Sequence, residues 1–122
     1  MKNSKTSSFQ YKRDRIEQEI IEAESFHNVD LSKAYELYNK IVPNAEVLGD
    51  KAILARVLQR RGDTYRFKNE LELARRDFEK AIENAKGVDS RVLMMATMGN
   101  GIVARIEKRW DDARRSYFEA LS

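Results

Sequence analysis

Few side chains in this sequence are suited to chemistry. It holds one histidine, His27, and no cysteine. His27 stands between Phe26 and Asn28, and nothing in the sequence offers it a partner for a triad, so a surface or groove position is expected. Without cysteine there is no disulfide or thiolate metal site, and a single histidine gives no zinc spacing. Gly99-Asn100-Gly101 lies in an apolar helical stretch and is not followed by Lys-Ser or Lys-Thr, so it does not make a phosphate loop. Arg61-Gly62-Asp63 spells an adhesion tripeptide but falls inside a helical pattern. No catalytic residue, metal ligand or cofactor is implied, and the chain reads as non-enzymatic.

The charged residues carry the next candidate chemistry. Lys and Arg together number 23, Asp and Glu 20, for a net charge of +3. The pairs Arg75-Arg76 and Arg114-Arg115 could form a basic ladder for nucleic acid. However, Glu72 with Arg76, Arg75 with Glu79, Asp111 with Arg115 and Arg115 with Glu119 are each spaced to pair within a helix. Local acids then cancel the field that would attract phosphate, which disfavours RNA or DNA as a partner.

The elements that must position these residues are helices. At 122 residues, with 42% hydrophobic and 35% charged side chains, five glycines and one proline, the chain fits a single helical domain with a real core. No apolar run is long enough to cross a bilayer. The absence of cysteine fits a reducing, cytoplasmic setting. Residues 1–11 are mostly polar and are expected to form a flexible arm, leaving 12–122 as the domain.

Sliding 62–122 back by 39 residues superposes the chain on itself. Gly62 meets Gly101, Leu71 meets Trp110, Ala74 meets Ala113, Phe78 meets Tyr117 and Ala81 meets Ala120. A further step of 40 recovers Leu31, Ala34, Tyr38 and Ile41. The repeats are about 12–45, 50–88 and 90–122, each of two helices. Asp14 is the nearest cap for the first helix, whose stripe is Ile16, Ile20, Ala23 and Phe26. Asp30 caps a helix over 31–42, which Pro43 and Asn44 should break. The next helix covers about 52–68, and Asn69, three residues before Glu72, reads as a capping box for the fourth. Gly87 is a stop, and Asp89 or Ser90 caps a helix over 91–108. The last helix covers 111–121. Gly62 and Gly101 lie mid-helix at a cost of ~1 kcal/mol each. That cost suits close helix approach, with Ala74 and Ala113 as the facing small residues.

Gly62, Tyr65, Ala74, Phe78 and Ala81, and again Gly101, Ala113, Tyr117 and Ala120, resemble the tetratricopeptide (TPR) signature. The first repeat resembles it only in its second helix, since Glu22 and Ser25 replace the small residue and the tyrosine. The resemblance implies an all-α, right-handed α-solenoid of three TPR-type helix hairpins, with the first helix of each pair on a concave wall. Carried over, the wall has Arg56, Gln59, Arg60, Asp63 and Arg66 in its middle, then Met95, Met98, Ile102 and Arg105. Ile16, Glu19, Ile20, Ala23 and His27 belong to the first hairpin. A groove basic in its middle and apolar at one end suits a peptide or protein with acidic groups beside an apolar anchor. The family's two-carboxylate clamp for chaperone tails would fall on Glu19, Ala23, Arg60, Met95 and Gly99, of which one is basic, and is disfavoured.

Two other readings stay open. The helix over 91–108 is apolar nearly all round, so Met95, Met98 and Ile102 are alternatively covered by the chain itself or by a second copy. Repeat arrays expose an apolar face at an uncapped end. The chain stops just after Trp110, Tyr117, Phe118 and Leu121, which points to a fragment of a longer array or to a homo-oligomer through those residues. An interaction module leads, and a self-assembly unit follows it.

Overall fold

A computed structural model describes residues 4–122, with side chains from residue 8 onward. Six helices follow in order: α1 (Ser4–Phe26), α2 (Leu31–Leu48), α3 (Lys51–Phe67), α4 (Leu71–Ala85), α5 (Ser90–Ile106) and α6 (Trp110–Leu121). Three aspartates set three of the starts. Asp30, Asp50 and Asp89 each accept from the backbone N–H three residues on, at 3.1 Å.

Several boundaries differ from those read in the sequence. Residues 4–11, expected as a loose arm, are the opening turns of α1, and residues 1–3 lie outside the described residues. Asp14 therefore sits inside a helix and caps nothing. Pro43 does not break α2, which runs on to Leu48. Pro43 is exposed, so the carbonyl it leaves unpaired faces water, while buried Ile41, Val42 and Ala45 hold the flanking turns in the core. The stop is Gly49, at φ 79°. Asn69 does not cap α4. It ends α3 at φ 61°, and Lys108 ends α5 at φ 62°. Glu70 N–H donates back to the Tyr65 carbonyl at 2.9 Å, and Arg109 N–H to Ala104 at 2.8 Å. These are the reversed bonds of a left-handed helix stop.

The helices pack as adjacent hairpins in an open stack. Among the described residues α1, α3 and α5 touch in series, α2, α4 and α6 do not touch one another, and α1 does not meet α6. The fold is thus an all-α, solenoid-like row of three helix hairpins rather than a closed bundle. No helix among the described residues is long and apolar enough to cross a membrane.

The core runs the length of the stack, with Ile20, Tyr38, Val57, Leu58, Phe78 and Val103 at its centre. Small residues are used differently from the expected small-to-small contact. A Cβ placed on Gly62 would stand 2.8 Å from the Phe78 ring, and one on Gly99 2.6 Å from the same ring. Gly101 meets Tyr117 in the same way, at 2.9 Å. Ring against glycine, at matched positions of successive hairpins, sets the spacing of α3, α4, α5 and α6.

Candidate interaction surface

The arginines on the inner side of α3 are held in ion pairs. Arg56 and Arg60 lie one turn apart and both grip Glu24 of α1. Arg56 Nη2 and Nε donate to its carboxylate at 2.6 and 3.2 Å, and Arg60 Nε donates at 2.9 Å. Desolvation opposes the charged form of Glu24, but the hydrogen bonds from Arg56 and Arg60 outweigh it and hold the carboxyl below its ordinary range. Arg13 makes a parallel link, donating to Asp50 at 2.9 Å and pairing with Glu17 at 3.0 Å. In the middle of the groove, Arg56, Arg60 and Arg66 are therefore partly offset by Glu24 of α1 and Asp63 of α3, three cations against two carboxylates.

Gln59 is not a wall residue. It is 2% exposed and donates to Asp63 at 3.2 Å. Asp63 is also approached by His27 Nε2 at 3.6 Å and Arg66 at 3.7 Å. His27 is buried rather than superficial, and its Nδ1 shares a 2.9 Å hydrogen bond with the Tyr38 hydroxyl. Asp63, His27 and Tyr38 thus form the line of groups that the sequence did not offer. Tyr38 is wholly buried, and burial pushes its phenol well above its ordinary value. The line joins α1, α2 and α3 and gives a substrate no access to the hydroxyl.

The apolar end of the wall is different. Met95, Met98 and Ile102 are half-buried on α5 and stand outside the core cluster, while Arg105 is exposed. Met94 and Ile106, not foreseen as surface residues, are 41% and 45% exposed on the same helix. Ile20, Ala23 and Gly99, assigned to the groove or the clamp, are buried, so their positions cannot grip a ligand. On α6, Trp110, Phe118 and Leu121 are exposed, whereas Tyr117 is half-buried against Gly101 and is less available for association.

The repeated arginine pairs are locally satisfied, at spacings of three as well as four. Arg75 and Arg76 pair with Glu72, Arg114 with Asp111, and Arg115 with Asp112. A buried pair was missed: Arg61 donates to Asp77 of α4 at 2.7 and 2.9 Å and to Asn39 of α2 at 3.1 Å. A cleft of about 600 Å³ between α1 and α2, lined by Phe9, Lys12, Ile16, Glu19, Val47 and Leu48, was also missed. Among the described residues no cluster of His, Asp or Glu could hold a metal ion.

These features define a row of helix hairpins whose inner wall is bridged by ion pairs at α1 and α3 and is apolar along α5. No protein-family model, no curated protein and no solved structure matches the chain.

Proposed function

We propose that the chain is a TPR-type interaction module that binds a protein or peptide along its inner helices, chiefly at the third hairpin. The observation that carries this reading is the position of Met95, Met98 and Ile102. They stand half-exposed on α5 without joining the core cluster, so the stability of this chain does not account for them. The open row of α1, α3 and α5 leaves that side accessible. The burial of His27 and Tyr38 supports a non-catalytic role, and the absence of cysteine supports a reducing, cytoplasmic setting. Selection of displayed peptides against the immobilised protein tests the reading. Enriched peptides should lose binding to a folded Met98→Asp, Ile102→Asp variant. Failure to enrich any peptide, or equal binding by both proteins, overturns it.

A second reading, self-assembly, is favoured by Phe118 and Leu121, 76% and 78% exposed near the end of α6. It expects a concentration-dependent rise in sedimenting mass that Phe118→Lys, Leu121→Lys abolishes. A monomer before and after substitution sinks it.

A further inference from the structure

We propose that the exposed face of α5 docks an amphipathic partner helix whose apolar stripe carries an acidic residue near each end. The proposal rests on the interaction-module reading and names the partner's chemistry.

Charge singles out the face. Every other arginine in the chain stands within 4.0 Å of a carboxylate. Among the described residues Arg91 and Arg105 alone do not, and both are exposed on α5. They lie seven residues either side of Met98. At about 1.5 Å per residue they are roughly 21 Å apart, and at about 100° per residue they point within roughly 40° of each other. Between them stand Met94, Met95, Met98 and Ile102, none of which joins the core cluster. Three of the four methionines of the chain are thus collected between its two unpaired arginines. Methionine suits a docking face, since its unbranched, polarisable side chain fits varied apolar partners.

The repeat shows what shape covers such a face. By the 39-residue offset, Met94 and Met98 correspond to Ala55 and Gln59 of α3, and both of those are buried. Ala55 packs with Ala85, Val92 and Leu93, at the junction with the following hairpin. On α3 these two positions are closed by neighbouring helices, and on α5 they are partly open; Met95 and Ile102 correspond to Arg56 and Asp63, half-buried beside Glu24 and His27 of α1. A helix is therefore the fitting occupant, and acids near the ends of its stripe complement Arg91 and Arg105. A second copy fits poorly through α5 alone, because a two-fold antiparallel pairing sets Arg91 of one copy against Arg105 of the other. Nucleic acid would engage the arginines but leave the methionines without apolar cover.

A helix-forming peptide of roughly 18 residues tests the proposal. It carries leucines at every third and fourth position and two glutamates spaced as Arg91 and Arg105 are. The control has lysines in place of those glutamates. Fluorescence anisotropy at low salt should show the glutamate peptide binding about tenfold more tightly than the lysine peptide. Arg91→Glu, Arg105→Glu, at exposed positions that leave the fold intact by circular dichroism, should reverse the order. Equal affinity for both peptides, no binding of either, or an unchanged preference in the variant overturns the proposal. If peptide selection still yields ligands that ignore both arginines, this inference falls and the interaction-module reading stands. If selection yields none, the reading itself falls.

Discussion

The ring of Phe78 in α4 lies so close to Gly99 in α5 that a Cβ added there would meet its Cζ at 2.6 Å. Gly62 in α3 closes on the ring from its own helix, and the ring is fully buried. It has no free direction in which to retreat. Gly99→Ala gains about 1 kcal/mol of helix propensity but loses about 1–3 kcal/mol to overpacking, so a net loss near 1 kcal/mol is expected. Combining it with Phe78→Leu should cost less than the sum of the two changes. Urea denaturation measures both, and a Gly99→Ala protein more stable than the parent would contradict the packing described.

Arg61 and Asp77 fasten α3 to α4, with side chains only 17% and 8% exposed. Asp77→Ala strands a desolvated guanidinium and should lower stability by about 3 kcal/mol. Replacing both partners, with Arg61→Met and Asp77→Leu, should recover most of that loss. Asp111→Ala breaks only the surface pair with Arg114 and should cost under about 1 kcal/mol. Equal losses for Asp77→Ala and Asp111→Ala would rule out a structural role for the buried pair.

Glu24 gives the fold an acid sensitivity of known sign. Its folded value lies below the ordinary carboxylate range, so its contribution is complete above about pH 4.3. The contribution declines as pH falls through the folded value and is absent below it. Asp50 is depressed in the same direction: desolvation is offset by the Ile53 N–H and by Arg13. Glu24→Gln should lose about 1 kcal/mol at neutral pH, solvent screening allowed for. Its stability should also change less steeply than the parent's between neutral pH and pH 3. Parallel pH profiles for the two proteins would remove the Arg56–Glu24–Arg60 clasp from the account.

Much of the fold was legible because its signals are local or periodic. The 39-residue offset recurs in the matched Asp50 and Asp89 caps and in the matched left-handed stops at Asn69 and Lys108. Local rules failed where tertiary burial overrode them, as at Pro43, or where two rules competed for one residue. Asn69 suits an N-cap and a left-handed stop, and the short α3–α4 link requires the stop. The surface was harder to read. Glu24 meets Arg56 and Arg60 across 32 and 36 residues, and no spacing in the sequence says which side of α1 faces α3. Gln59 and Met98 share a repeat position, yet one is buried and the other partly open. On α3 that side adjoins α5, through Ala55 with Val92 and Leu93, whereas on α5 Met94 and Met98 stay partly open.

The two left-handed stops carry different side chains at nearly the same φ, 61° for Asn69 and 62° for Lys108. Asparagine tolerates that region through its short polar side chain, whereas lysine meets the steric penalty of a Cβ against the backbone, about 1–2 kcal/mol. Glycine removes the penalty but adds chain entropy worth about 0.5–1 kcal/mol in the unfolded state. Lys108→Gly should therefore stabilise by about 0.5–1 kcal/mol, and Asn69→Gly should be close to neutral. Both sites are exposed, so no packing change obscures the comparison. Calorimetric melting of the two variants decides it. A gain at Asn69 as large as that at Lys108 would mean that backbone strain at these stops does not depend on the side chain.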